Sequence, residues 1–194
     1  MQLISNNRVL DNIKPALFLD RDGVINENHG YVYKKEDFDF IPGVFELVSC
    51  ANEQGYLTIV VTNQAGIGRG LYSLEQFKDL SIWMCEQFKS NGALIDAIYF
   101  SPFHPTEGLG RFLLEEDTRK PGAGMFFEAF RDYDISLSGS IMVGDKITDM
   151  KASFAAGITQ NYLLTSSPQR IEFEPLDYIK IIGELSEVIS VLKN

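Results

Sequence analysis

The sequence predicts an α/β protein built on a doubly wound, mostly parallel sheet. Three observations carry this expectation: short, nearly continuous apolar runs that close on a polar residue, segments of helical periodicity between them, and a composition able to bury one sizeable core. The 194 residues are 45% hydrophobic, 23% charged and 12% aromatic, which excludes disordered, collagen-like and disulfide-scaffold chains. With no internal repeat, low-complexity tract or Pro/Gly/Ser linker, residues 1–194 read as a single domain.

The elements follow in order. Residues 16–20 (ALFLD) form the first expected strand, and Pro42 and Gly43 open a helix that runs to about Gln54, where Gly55 stops it. Residues 57–62 (LTIVVT) form the second strand. Ser73 followed by Gln76 is a capping-box pattern, opening a helix whose core stripe is Leu74, Phe77, Leu80, Trp83, Met84 and Phe88. Residues 93–100 and 140–144 (SIMVG) read as further strands, with 160–164 a weaker fifth. Helical patterns follow Pro121, Thr148 and Gly183, the last of them best read as packing. Two stretches interrupt the alternation, residues 24–40 and 101–120, and loops of that length in compact domains are usually functional. The first, carrying Tyr31, Tyr33, Phe38 and Phe40, is expected to be a small flap, and the second a lid loop. Neither is large enough for a cap domain.

The charge balance excludes several classes of partner. Seventeen Lys and Arg against twenty-seven Asp and Glu give a net charge of −10, so the global field repels polyanions and no nucleic-acid partner is expected. No window approaches the ~20 consecutive apolar residues of a membrane span. The start, MQLISNNRVLDNIKP, lacks the basic-then-apolar order of a secretory signal, and the expected location is the cytoplasm. Cys50 and Cys85 have no partner at metal-ligand spacing and read as reduced core thiols.

In open α/β sheets ligands bind at the carboxyl ends of the strands. The residues expected there share one chemistry: Asp20 and Asp22, Thr62, Arg119 and Lys120, Asp145 and Asp149. Carboxylates from two strand ends suit a hard divalent cation, while a hydroxyl and a lysine suit phosphoryl oxygens. So few protein ligands favour Mg²⁺ over Ca²⁺, and zinc would want His or Cys. In an extended segment Asp20 and Asp22 share one side, with Arg21 directed away.

Taken in order, DRDGV after a strand, Thr62 ending a strand, Lys120 after a long loop and GDKITD after a strand resemble the four motifs of the haloacid dehalogenase-like superfamily. The segments DRDGVINENHGYV, VVTNQAGIGRG, RKPGAGM and VGDKITD resemble more narrowly its heptose bisphosphate phosphatase group, close to the histidinol-phosphate phosphatases, over residues 17–164. The resemblance implies a Mg²⁺-dependent phosphatase of a small sugar phosphate. Asp20 is the implied nucleophile, Asp22 the general acid and base, and Thr62 and Lys120 the ligands of the phosphoryl oxygens. Asp20, the backbone carbonyl of Asp22, and Asp145 form the implied Mg²⁺ set. Asp149 is either a supporting carboxylate or an acid complementing a helix N-terminus. The implied substrate contacts are Asn28, His29, Gly30 and Tyr31 in the flap, residues 62–65 (Thr62, Asn63, Gln64, Ala65), and Arg119, Lys120 and Lys146. His29 reads as a hydrogen-bonding contact rather than a base, and Arg69 as a substrate ligand or a solvated loop arginine.

The chain departs from this group in one place. Members commonly carry a structural zinc in the lid loop, built from a Cys-x-His and a Cys-x-Cys pair. The matching positions here hold Ser101, Phe103, Glu116 and Thr118, leaving His104 as the only nearby candidate. No zinc is therefore expected, and packing of Phe103, Phe112 and Leu113 is expected to hold the loop. Competing readings are a phosphatase of histidinol phosphate or another small metabolite, a phosphoacceptor receiver-like signalling domain, and a catalytically inactive binding module. The position of the DxD pair on the first strand disfavours the receiver. A monomer is expected.

Overall fold

The computed structural model describes residues 1–5, 13–165 and 177–193. The single-domain expectation and the expectation for the N-terminal stretch extend over residues 6–12, 166–176 and 194, which lie outside the described residues.

Seven strands form one sheet: β1 (Gln2–Ser5), β2 (Lys14–Leu19), β3 (Leu57–Asn63), β4 (Ala97–Ser101), β5 (Ile135–Gly144), β6 (Gln160–Leu164) and β7 (Ile179–Ile182), in the order β1-β4-β3-β2-β5-β6-β7. β1 pairs antiparallel with β4, and every other pair is parallel. From β2 the chain builds outward through β3 and β4, then returns to place β5 on the other side of β2. The strand order reverses between β2 and β5, which makes the crevice above their carboxyl ends the expected ligand position.

Alternation along the strands feeds two cores. Leu17 and Leu19 of β2 face one side, with Val60, Ile98, Phe100, Ile141 and Val143. That side is covered by α1 (Val44–Glu53), α3 (Leu74–Ser90) and α6 (Ser186–Leu192), which bring Leu47, Phe77, Met84, Phe88 and Val188, while α2 (Ala65–Gly68) is a single turn after β3. Phe18, Ile59, Val61, Tyr99 and Met142 face the other side, against Met125 and Phe126 of α4 (Gly124–Asp132) and Met150 of α5 (Ile147–Ala155). The helix α3 starts as expected: Ser73 Oγ accepts from the Gln76 amide at 3.0 Å and Gln76 Oε1 from the Ser73 amide at 2.8 Å. Together these acceptors satisfy two amides a helix end leaves unpaired.

The structure corrects several boundaries. The strand expected over 93–100 begins only at Ala97, because the Asn52 side chain accepts the Leu94 amide and donates to its carbonyl, taking the backbone groups that a strand pairing would need. β5 starts earlier than expected, at Ile135, and shifts register against β2 between Pro15 and Leu17. β1 and β7 were not expected from the apolar runs, being four-residue edge strands. In the flap, Phe38 and Phe40 belong to the core, packed on Trp83 at ring distances of 5.5 and 5.8 Å. Of its four aromatic residues only Tyr31 lines the crevice.

Candidate active site

Asp20 immediately follows β2, and its amide donates to the Val143 carbonyl of β5, 3.0 Å away. This bond carries the parallel pairing one residue past the strand and delivers the side chain to the crevice. The Asp20 carboxylate is buried and holds two contacts on Oδ1, from the Arg21 amide at 2.8 Å and from Lys120 Nζ at 2.9 Å. Lys120 Nζ also lies 2.6 Å from Asp149 Oδ1 and donates to the Val61 carbonyl at 2.8 Å, so all three of its hydrogens are used. Its backbone is clamped from β3, where Asn63 donates to the Lys120 carbonyl at 3.1 Å and accepts its amide at 3.0 Å.

Electrostatics follow from this crowding. Burial raises the Asp20 carboxyl most, Lys120 pulls it down, Asp149, Asp145 and Asp22 push it up, and together they bring it to about 7. Burial alone would weaken the charge on Lys120, but Asp149 and Asp20 outweigh it and hold the ammonium above its ordinary range. Burial also raises the Asp145 carboxyl, against the opposing pull of Lys146, whose ammonium lies 3.4 Å away. Three carboxyl groups share two lysines, Asp20 and Asp149 on Lys120 and Asp145 on Lys146, so the site is short of positive charge.

The donor set suits a hard cation. Oxygens of Asp20, Asp145 and Asp149 lie within 4.8 Å of one another, and Asp145 Oδ1 is buried without a hydrogen-bond partner among the described residues. An orphaned buried carboxylate oxygen is costly unless something positive meets it, and an all-carboxylate set fits Mg²⁺. Two glycines make room for it. A Cβ at Gly23, whose φ is +99°, would overlap the Asp145 carboxylate, and one at Gly144 would overlap Asp149. Asp149 Oδ1 meets Lys120, while Oδ2 accepts the Lys146 amide at the start of α5, 3.0 Å away, the position of an acid at a helix N-terminus.

Asp22 contradicts one expectation. Arg21 does not point away; its buried guanidinium turns back, with Nη2 2.8 and 2.9 Å from the two Asp22 oxygens and 2.7 Å from the Val32 carbonyl of the flap. The i and i+2 argument holds only while the backbone stays extended, and here the chain turns at once: the Ile25 and Asn26 amides both donate to the Arg21 carbonyl. Asp22 also accepts from Asn26 Nδ2 at 3.1 Å and Gln64 Nε2 at 3.0 Å.

A cavity of about 360 Å³ brings together Asp20, Asp22, Asn28, Gly30, Tyr31, Asn63, Gln64, Ala65, Arg119, Lys120, Lys146 and Asp149. Tyr72, His104 and Thr148 complete its wall; Tyr72 and Thr148 carried no signal in the sequence. Three expected residues are not on that wall. Thr62 is buried, its Oγ1 accepting from Gln64 Nε2 at 2.9 Å. Asp145 lines the adjoining cavity together with Gly23. His29 is exposed, paired with Asp39 at 2.9 Å. Arg69 meets the Tyr31 hydroxyl and lies 3.2 Å from Glu107, tying the turn after β3 to both flap and lid.

Comparison with known proteins places this geometry. The model of the HAD-hydrolase-like family matches residues 117–175, the segment carrying Lys120, Asp145 and Asp149. The D-glycero-alpha-D-manno-heptose-1,7-bisphosphate 7-phosphatase of Burkholderia mallei is 52% identical over 77% of this chain and 79% of its own length. The D-glycero-beta-D-manno-heptose-1,7-bisphosphate 7-phosphatase of Vibrio cholerae is 49% identical over 78% of this chain and 81% of its own. The chain belongs to this family of haloacid dehalogenase-like phosphatases. It is a hydrolase of phosphoric monoesters. In structure it is similar to the D,D-heptose 1,7-bisphosphate phosphatase of B. bronchiseptica complexed with magnesium and phosphate, at 25% identity and a TM-score of 0.80, covering 92% of this chain and 98% of that one.

The lid differs from its expected packing. Phe103 and Phe112 do meet, with ring centroids 5.9 Å apart, but Leu113 is exposed. The turn is instead closed by His104, whose Nδ1 accepts the Glu107 amide at 3.0 Å and the Thr106 amide at 3.3 Å.

Proposed function

We propose that this phosphatase cleaves a D-glycero-D-manno-heptose 1,7-bisphosphate to the heptose 1-phosphate through an aspartyl-phosphate on Asp20. The observation that carries the mechanism is the buried Asp20 carboxylate held through Oδ1 by Lys120 Nζ at 2.9 Å, which leaves Oδ2 as the attacking oxygen. Oδ2 attacks phosphorus in line, the bond to the sugar oxygen breaks, and Asp22 protonates that oxygen. Asp22 then takes a proton from the water that attacks the aspartyl-phosphate, releasing phosphate and restoring Asp20. Thr62 and Lys120 bind the phosphoryl oxygens, the lysine by giving up one of its three bonds within the site, and its charge balances charge that shifts during transfer. Asp20, the Asp22 carbonyl and Asp145, with Asp149 in support, would hold a Mg²⁺, which when bound would neutralise phosphoryl charge.

Arg119 and Lys146 on the cavity wall supply cations for the second phosphate, and Asn28, Gly30, Tyr31 and residues 63–65 shape the sugar pocket. Identity does not separate the anomers, because the relatives at 52% and 49% carry different ones in their names. A cytoplasmic monomer working as one domain, with a lid closed by hydrogen bonds rather than zinc, completes the proposal.

The test is phosphate release from both heptose 1,7-bisphosphate anomers, histidinol phosphate and several hexose phosphates, with Mg²⁺, with EDTA, and with Asp20→Asn. Preference for one heptose bisphosphate, lost in both controls, is the expected result. Preference for histidinol phosphate would replace the substrate, and full activity of Asp20→Asn would remove the mechanism.

A further inference from the structure

The geometry points to Tyr72 as a positioning residue that sets the general acid and base, Asp22, through Gln64; this rests on the roles proposed above. Gln64 is buried, and every polar atom of its side chain is spoken for: Nε2 lies 3.0 Å from Asp22 Oδ2 and 2.9 Å from Thr62 Oγ1, and Oε1 accepts from the Tyr72 hydroxyl at 2.5 Å. Both Asp22 oxygens accept from Arg21 Nη2, so the end of the amide facing them must be its NH₂. The carbonyl end then faces Tyr72, and a buried amide oxygen needs a donor there. Tyr72 is that donor. Its ring is fixed independently, buried and stacked on Tyr33 at 5.3 Å with the planes 10° apart.

The consequence reaches two functional groups at once. Gln64 joins Arg21 and Asn26 in fixing the Asp22 carboxylate, and by donating to Thr62 Oγ1 it leaves the threonine's own hydrogen free of that bond. Without the Tyr72 hydroxyl the buried Oε1 loses its donor, the amide is held from its NH₂ end alone, and its contact with Asp22 Oδ2 loosens. The effect falls on proton delivery to the leaving group. A poor leaving group such as a sugar alkoxide needs that proton, whereas p-nitrophenolate departs as the anion.

The test is Tyr72→Phe, which keeps the ring stack and removes only the donor, measured on heptose 1,7-bisphosphate and on p-nitrophenyl phosphate, with melting temperature recorded. The expected result is a kcat about five- to tenfold lower on the sugar phosphate, the size of one neutral hydrogen bond, with KM within about twofold. The loss on the sugar phosphate should exceed that on the nitrophenyl ester at least threefold. Gln64→Met, of similar volume, removes both ends of the relay and should shift the same ratio in the same direction, so the inference stands or falls even if Tyr72→Phe folds poorly. Equal losses on both esters, a loss confined to KM, or no loss would overturn it while leaving the phosphatase mechanism intact. A wild-type protein that releases no phosphate from any alkyl phosphate would overturn the mechanism and this inference together.

Discussion

Lys120 Nζ lies 2.9 Å from Asp20 Oδ1, and both side chains are buried at the end of the sheet. The lysine is the one cation in direct contact with both Asp20 and Asp149 among the described residues, so its removal leaves two carboxyl groups facing each other with nothing between them. Breaking a buried pair from one side costs about 3–5 kcal/mol. Lys120→Met is expected to lose roughly 10²- to 10³-fold in kcat, as for loss of one preorganised charge partner in a transition state. Urea unfolding in EDTA should show the matching loss of stability, part of it recovered with Mg²⁺. A variant within tenfold of wild type would remove Lys120 from the mechanism.

The orphaned Asp145 Oδ1 makes a separate prediction about the metal. Asp145→Asn keeps the shape and removes the charge, and calorimetric titration should show Mg²⁺ affinity at least tenfold weaker, in line with the sensitivity of metal sites to their ligand shells. Gly23→Ala should reach the same end by another route, because its Cβ would displace the Asp145 carboxylate and its φ of +99° disfavours any side chain. Unchanged Mg²⁺ affinity in both variants would move the metal away from Asp145.

Cys85 yields a pH dependence. Burial, with a smaller push from Glu86, raises its thiol from 9.0 to about 12. The thiolate is the reactive form, so alkylation of native Cys85 by iodoacetamide should rise about tenfold per pH unit past pH 9, where the unfolded chain levels off. Because the folded value is raised, the group's contribution to stability is full below about pH 9 and is lost as pH rises toward 12. Peptide mapping separates this site from Cys50. A plateau near pH 9 in the native protein would mean the thiol is open to water.

Much of this site was legible because its key residues terminate apolar strands. Asp20, Thr62 and Asp145 follow or close such runs, and a parallel sheet brings those ends to one edge whatever the loops do. Side chains beyond the strand end obey turn dihedrals instead of a period of two, which is why Arg21 turns back onto Asp22 against expectation. Tyr72 reads as a loop residue ahead of a capping box; its bond to Gln64 depends on the single turn Ala65–Gly68, which brings the two side chains together. His29 sits in a matching motif, yet its ring is taken by Asp39. The edge strands were hidden for a different reason, since four residues are too few to show periodicity.

The lid offers the last prediction. At its turn a single imidazole nitrogen, His104 Nδ1, accepts two backbone amides, Thr106 and Glu107, while Nε2 lies 3.6 Å from the Glu107 carboxylate. The arrangement mimics the side-chain turns in which Asn and Asp accept amides two or three residues ahead. His104→Ala leaves both amides without that acceptor, and hydrogen exchange at Thr106 and Glu107 should accelerate about fivefold or more, the scale of one lost hydrogen bond of ~1 kcal/mol. His104→Asn can accept the same amides and should restore most of the protection. Because this turn is closed by an acceptor within the chain, a zinc chelator should leave exchange in the lid of the wild-type protein unchanged. Deprotection by the chelator would reveal a metal in the lid; equal protection in the alanine variant would show that Phe103 and Phe112 hold the loop without the histidine.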